Sequence, residues 1–236
     1  MNRQTASGRR VYDGGTAPRS TFTPQRRRKD ADVNHEITTI AQLEAIYATP
    51  HERALWKEID HLNDDYQAFV RASPFVALSS VGPHGTDVSP RGDRAGFVSI
   101  VDPKTLALPD RPGNNRIDTL RNIVADPRVS LLFLIPRVGE TLRVNGRATI
   151  SAEPGLLARF AVDGKLPRTV LLIHIDAAYF HCSKAIVRSR LWDPGARIER
   201  DRLPSAGAMH RRLSGGTFDG DSYDRDLPAR TVAGLY

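Results

Sequence analysis

The spacing of apolar residues predicts four helices, over residues 38–46, 52–71, 115–125 and 153–160. In the longest of them the apolar positions 55, 59, 62, 66 and 69 step by three and four, which gives an amphipathic stripe. The first helix is predicted to begin at Thr38 or Thr39, because Gln42 stands in the capping-box position after Thr39. Asp126-Pro127 ends the third, since the residue before a proline disfavours helical backbone.

Six segments have the alternating or continuous apolar pattern of strands: 75–81, 96–101, 105–108, 129–135, 141–150 and 169–182. The clearest is 141–150, where Leu142 and Val144 share one face while Arg143 and Asn145 share the other. Most connections are shorter than the roughly twelve residues that a parallel crossover needs. The pattern therefore predicts a mainly β fold, a small antiparallel barrel, closed or partly closed, with short flanking helices.

Charge divides the chain into three parts. The 236 residues include 34 Lys and Arg against 27 Asp and Glu, a net charge of +7. Residues 1–35 carry eight of the basic and three of the acidic residues, so the rest of the chain has a net charge of only +2. We predict a disordered basic arm over 1–35, which either solubilises the protein or contacts nucleic acid or an anionic surface. A globular domain is expected over 36–194 and an irregular, glycine-rich arm over 195–236.

Several classes of protein are not supported. Cys182 is the single cysteine, so an intramolecular disulfide is excluded and a reducing cytoplasm is the expected setting. The sequence has neither a secretory signal nor an apolar run of about 18 residues. It also lacks the glycine-rich loops of dinucleotide and nucleoside triphosphate sites. No metal site is expected, because strand alternation separates His181 from His174 and Asp176.

Two arginine-bearing segments are candidates for binding chemistry. Residues 89–94 are expected between two strands, and residues 113–116 lead into the third helix. Guanidinium groups bind phosphate through paired hydrogen bonds, and a helix start adds free backbone N–H groups. Together the two segments predict a phosphomonoester clamp. The alternative is a pair of exposed loop arginines with ordinary carboxylate partners.

Two further polar groups remain open to more than one interpretation. Arg143, Asn145 and Arg147 face away from the apolar side of their strand, either into solvent or towards an anion or a planar electron-poor ring. Lys184 and Arg188 are four residues apart, and Trp192 is four further on. At helical spacing they form a basic stripe ending in an indole, which suits a phosphate, a stacked aromatic ligand or an ordinary interface.

The order of five passages resembles a known family. They are SPFVALSSVGPHGTDVSPRGDRAGFV, LALPDRPGNNR, NIVADPRVSLLFLIP, ETLRVNGRA and HCSKAIVRSRLW. Across residues 41–194 the chain resembles the pyridoxamine 5'-phosphate oxidase-like family of FMN-binding split barrels. The resemblance implies a six-stranded antiparallel Greek-key split barrel. It also implies a homodimer with FMN held in grooves between the subunits.

The resemblance also implies which residues bind the cofactor: Arg91, Phe97, Val98, Leu108, Pro109, Asn115, Arg116, Thr141, Arg143, Asn145, Lys184, Arg188 and Trp192. Arg91 and Arg116 match phosphate-binding positions. Thr141 stands where the oxidase proper has a glutamine. The residues from Lys184 onward are expected to reach the cofactor from their own chain or from the partner subunit.

The function expected from the resemblance is FMN-dependent oxidoreduction, with hydride transfer through the flavin N5 and a substrate that the sequence does not identify. Alternatives with the same fold are a deazaflavin-dependent reductase and a flavin- or haem-binding protein without turnover. A nucleic-acid-binding module that acts through the basic arm is an alternative of another class. The arginine-and-histidine segment by which the vitamin-forming oxidase binds its substrate phosphate has no counterpart near Tyr236, so pyridoxamine phosphate is not the expected substrate.

Overall fold

The computed structural model describes residues 35–236, so the predicted basic arm lies outside the described residues except for His35. The chain divides into two compact units, one up to Thr49 and one from Pro50 onward. In the described part of the first unit, α1 spans Ile40–Glu44. Its capping box is confirmed, because Gln42 N donates to Thr39 Oγ1 at 3.2 Å while the Gln42 side chain accepts from Thr39 N at 3.1 Å.

The second unit is built on one antiparallel sheet of seven strands. Their bounds are β1 Phe75–Gly82, β2 Gly85–Gly92, β3 Ser99–Asp102, β4 Thr105–Asp110, β5 Arg128–Leu134, β6 Thr141–Ser151 and β7 Thr169–His181. Their order across the sheet is β2-β1-β5-β6-β7-β4-β3, with every neighbouring pair antiparallel. The predicted mainly β, antiparallel fold is confirmed, with seven strands instead of six.

The additional strand is β2, where the sequence analysis placed a connection. A turn at Gly82–Gly85 returns the chain along β1, and Arg91 lies opposite Val76. β2 is at the edge of the sheet and its side chains are exposed or only half-buried, so it has no apolar alternation to reveal it. Pro90 fits there, because an edge strand tolerates a residue that lacks an N–H donor.

The seven α-helices of the second unit are α2 Glu52–Trp56, α3 Asp64–Ala72, α4 Asp118–Ala125, α5 Pro154–Ala158, α6 Lys184–Ser189, α7 Ala206–Leu213 and α8 Gly220–Ala233. Two short 3-10 helices lie at Pro194–Ala196 and Arg200–Arg202. The prediction of a continuous helix over 52–71 is wrong. Between α2 and α3 the chain is extended, because Ile59 exchanges backbone hydrogen bonds with Ala178 at 3.0 and 2.7 Å. Asn63 then caps α3 by accepting from Tyr66 N at 2.9 Å.

The prediction of an irregular segment over 195–236 is also wrong, because α7 and α8 occupy much of it. The two helices cross at Gly207 and Gly220, where a Cβ on either glycine would collide with the backbone of the other. Asp224 ties them together, since its carboxylate accepts from Gly207 N at 2.7 Å and from the Ser205 hydroxyl. Close backbone packing takes the place of large apolar side chains, so the composition concealed these helices.

The core lies inside the curved sheet. Its largest fully buried side chains are Phe133, Leu62, Leu78, Leu106, Leu108, Leu131, Leu142, Leu171, Ile173 and Ile175. α3 and α4 cover it with Val70 and Ile123. Between residues 35 and 236, none of the helices combines the length and the apolar character that a membrane crossing requires.

Candidate functional site

A cleft of about 610 Å³ lies where β2, the end of β4 and the start of α4 meet. Arg91 comes from β2, Pro109 from the end of β4 and Arg116 from the connection to α4. Strands β2 and β4 are not neighbours in the sheet, so the sheet must curl to bring them together. The volume falls in the range of sites that take a small molecule or cofactor.

The backbone before α4 is left-handed at two positions. Asn115 has φ 59° and Ile117 has φ 54°, so the helix begins at Asp118 and not at 115 as predicted. Ile117 occupies the N-cap position and makes no side-chain capping hydrogen bond. The first turn of α4, which lines the cleft, therefore keeps uncapped N–H groups and the positive end of the helix dipole. This arrangement favours an anion.

Arg91 is held between a carboxylate and a hydroxyl. Its Nη1 donates to Asp110 Oδ1 at 2.5 Å and its Nε to Ser89 Oγ at 3.2 Å. Ser89 Oγ lies 3.2 Å from Thr119 Oγ1, and Thr119 donates to Asp87 Oδ2 at 3.1 Å. Four side chains that line the cleft, from β2, β4 and α4, are thereby linked to Arg91 by hydrogen bonds.

Arg116 is the more exposed of the two arginines. Its Nε donates to Asp118 Oδ2 at 2.7 Å, and its side chain is 74% exposed. The hydrogen bond and the negative charge of Asp118 raise the pKa of Arg116, so the guanidinium stays charged at every physiological pH. Side chains this exposed are free to change partners, since a surface ion pair contributes little stability.

A third ion pair joins Arg111, which lines the cleft, to Asp93 beside it and fastens the same seam. Asp93 Oδ2 accepts from Arg111 Nε at 2.8 Å, and the Tyr236 hydroxyl donates to Asp93 Oδ1 at 2.6 Å. The Arg111 guanidinium also lies over the Tyr236 ring, 5.2 Å from its centroid. This pair closes the seam between β2 and β4 without depending on a ligand.

Four residues of this cleft are not predicted from the sequence: Asp87, Asp110, Arg111 and Thr119. One signal was available, because Asp110 and Arg111 stand directly between Pro109 and the segment that carries Arg116. Nothing local distinguishes Asp87 or Thr119, which meet only because β2 and α4 pack together.

Five of the predicted cofactor residues line the cleft: Arg91, Phe97, Pro109, Asn115 and Arg116. Asn115 is oriented by Arg168, whose Nη1 donates to Asn115 Oδ1 at 3.1 Å. Val98 and Leu108 do not line it, since their side chains are 2% and 1% exposed and belong to the core. The two arginine segments meet at one cleft, as the clamp predicts, and each arginine is paired with an aspartate, as the alternative predicts. Their binding role stays a prediction.

Thr141, Arg143 and Asn145 lie elsewhere on β6 and do not line the cleft. Thr141 is buried. The Arg143 guanidinium stacks over the Tyr179 ring at 3.9 Å from its centroid. Asn145 Oδ1 accepts from Ser130 Oγ at 2.7 Å.

Burial, with the nearby positive charges of Arg143 and Lys57, lowers the pKa of His181 at the end of β7 and favours its neutral form.

The stripe predicted over 184–192 is only partly formed. Lys184 and Arg188 lie one turn apart on α6 and are exposed, but the helix ends at Ser189 and Arg190 is left-handed. Trp192 therefore leaves the line of the helix, and its Nε1 donates to Val138 O at 2.7 Å. None of the three lines the cleft of its own chain.

Across residues 35–236, no three His, Cys, Asp or Glu side chains come together as a metal site would require.

Comparison with known proteins adds one family match. The family model for pyridoxamine 5'-phosphate oxidase matches residues 62–182, which include all seven strands. No curated protein matches the chain.

Solved structures similar to this chain align with about half of it. HupZ of Group A Streptococcus has 17% identity and a TM-score of 0.41 over 50% of this chain and 91% of its own. A protein of Clostridium acetobutylicum related to general stress protein 26 has 12% identity and a TM-score of 0.40 over 50% and 86%. An F420 reductase has 17% identity and a TM-score of 0.39 over 50% and 98%.

Proposed function

The chain belongs to the pyridoxamine 5'-phosphate oxidase family, and on that premise we propose that it is an FMN-dependent oxidoreductase acting on a small-molecule substrate. The observation that supports this most is the convergence of Arg91, Arg116 and the uncapped start of α4 on one cleft. These sources of positive potential are contributed by two segments that are distant in the sequence, β2 and the start of α4 with the residues before it. Such an arrangement matches the dianionic phosphate of FMN.

The residues present fit this cofactor. Arg91 and Arg116 would hold the phosphate, while Phe97 and Pro109 supply apolar lining for the rest of the molecule. When bound, the flavin supplies a centre at N5 that accepts or donates a hydride. The chain contributes binding, orientation and electrostatics, and the proposal assigns no acid or base to a side chain.

The proposal includes a homodimer with the cofactor at the subunit interface. Lys184 and Arg188 are exposed on α6 and, among the described residues, have no ion-pair partner. In the proposed dimer these two cations and Trp192 complete the cofactor site of the other subunit. Arg143 and Asn145 are proposed to face the same interface.

The phosphate role of Arg116 can be tested with FMN and riboflavin, which differ only in the phosphate. We expect Arg116→Ala to weaken FMN binding about tenfold, because a charge-assisted hydrogen bond is lost, and to leave riboflavin binding unchanged. The measurement is titration of the apoprotein, followed by the quenching of flavin fluorescence. Arg128→Ala is the matched control, since Arg128 is also exposed and paired with an aspartate, Asp126, but lies outside the cleft.

An equal loss of affinity for FMN and for riboflavin would show that Arg116 does not bind the phosphate.

An absorbance spectrum of the purified protein tests the cofactor itself: bound flavin bands support the proposal, whereas a deazaflavin or haem spectrum contradicts it. A screen of candidate substrates without oxygen, followed by bleaching of the flavin band, would then identify the reaction.

A further inference from the structure

We propose that Asp110 is a specificity-determining residue, a carboxylate that competes with the cofactor phosphate for Arg91 and thereby limits the preference of the cleft for phosphorylated flavins. This inference rests on the proposed function, since it takes the phosphate of FMN as the ligand of Arg91. It concerns a residue to which the family resemblance gives no role.

Two ion pairs have both partners in the lining of the cleft, and Arg91–Asp110 is the better shielded of them. Its side chains are 20% and 17% exposed, against 74% and 42% for Arg116 and Asp118. Screening by water is weaker at a shielded pair, so the carboxylate competes strongly with any incoming anion. A phosphate that approaches Arg91 must therefore displace Asp110 or share the guanidinium with it.

The hydroxyl groups of Ser89 and Thr119, beside Arg91, already donate their protons within the protein. Thr119 donates its single hydroxyl proton to Asp87, so Ser89 must donate to Thr119 and accept from Arg91 Nε. In this series of hydrogen bonds, Arg91 donates to Ser89, Ser89 to Thr119 and Thr119 to Asp87. Neither hydroxyl group therefore has a proton to donate to a phosphate oxygen while Asp87 accepts from Thr119.

The charges of the cleft lead to the same conclusion. Four arginines and three aspartates line it, which leaves a net charge of +1 against a phosphomonoester that carries nearly two negative charges. Removing one carboxylate would raise the net charge of the cleft to +2, which balances the charge of the phosphate. Asp110 therefore weakens the binding of FMN but not that of riboflavin, which has no phosphate to repel.

The decisive variant is Asp110→Asn, which removes the charge and keeps an oxygen that can accept from Arg91. We expect the Kd for FMN to fall about tenfold, as a charged competitor is removed, and the Kd for riboflavin to stay the same. The matched control is Asp126→Asn, which removes the same charge from an ion pair outside the cleft and should leave both constants unchanged.

Three results would overturn the inference: an FMN affinity that is unchanged or weaker in folded Asp110→Asn, an equal gain for riboflavin, or an equal gain in the control. If Asp110→Asn does not fold, Asp110→Ser decides the question, because serine also removes the carboxylate charge beside Arg91 and keeps a hydroxyl oxygen that can accept from it. Tighter FMN binding in that variant, with riboflavin binding unchanged, supports the inference, and unchanged or weaker FMN binding overturns it. Failure of the wild-type protein to bind FMN at all would instead count against the proposed function.

Discussion

Asp93 illustrates how much one side chain depends on its surroundings. Its carboxylate is 5% exposed and accepts from the Tyr236 hydroxyl, from Arg94 N and from Arg111 Nε. Burial by itself would raise the pKa of Asp93, but these three hydrogen bonds outweigh it and the pKa is lowered. A carboxyl group with a lowered pKa stabilises the fold above its ordinary pKa, and this contribution is lost as the pH falls through the lowered value.

Removing the hydroxyl of Tyr236 should therefore have an effect that depends on pH. We expect Tyr236→Phe to lower the free energy of unfolding at pH 7, because a hydrogen bond to a charged group is lost. The difference should shrink as the pH falls through the lowered pKa of Asp93, because the protonated carboxyl no longer offers a charged acceptor. Urea unfolding at pH 7 and at a series of lower pH values measures it. Tyr223→Phe is the control, because the Tyr223 hydroxyl has no hydrogen-bond partner among residues 35–236 and its ring contacts would remain. A loss that is the same at every pH would contradict the assignment.

At the scale of elements, the pairing of β6 with β7 is interrupted once. The register shifts between Asn145 and Gly146, where Asn145 lies opposite Ala177 and Gly146 opposite Ile175. A Cβ on Gly146 would collide with the carbonyl oxygen of His174. This register shift is a β-bulge, which lets the two long central strands curve. The missing side chain of Gly146 keeps their backbones close together there.

Gly146→Ala should consequently destabilise the protein. We expect a loss of about 2 kcal/mol or more in the free energy of unfolding, since neither backbone can move without breaking the ladder. Gly113→Ala is the control: a Cβ there meets nothing within 4 Å, and stability should stay within about 0.5 kcal/mol. If Gly146→Ala is as stable as the wild-type protein, the backbones of β6 and β7 do not approach each other as closely at Gly146 as described here.

At the scale of the whole molecule, the candidate cleft and the basic arm belong to different parts of the chain. Every residue that lines the cleft lies in the unit from Pro50 onward. Most of the net charge, in contrast, lies in residues 1–35. Binding of a flavin and binding of a polyanion should therefore be separable.

Deleting residues 1–34 tests this separation. We expect the shortened protein to elute from heparin at lower salt, since phosphate and sulfate polyanions are bound through counterion release. Its Kd for FMN should equal that of the full chain. A full-length variant whose arm arginines and lysine are changed to glutamine distinguishes charge from length. A loss of flavin binding on deletion would contradict the assignment of the cleft to the second unit alone.

Much of the fold could be predicted from sequence because local patterns record which face of an element is buried. β5 and β6 follow their predicted segments to within one residue at either end. The capping box of α1 was predicted from Thr39 and Gln42, and the family from passages that lie mostly within residues 62–182. Arg91 and Arg116 were predicted to share a site because five passages in this order resemble a known family, and both line the cleft.

Other features were decided only by tertiary structure. β2 is a strand because β1 pairs with it, although its own residues lack the apolar alternation. α7 and α8 form where two glycines allow their backbones to meet. Asp110 pairs with Arg91 because the curvature accumulated over the sheet brings β4 to β2. A periodic pattern specifies one face of one element, whereas the meeting of two distant side chains depends on the summed twist of every strand between them.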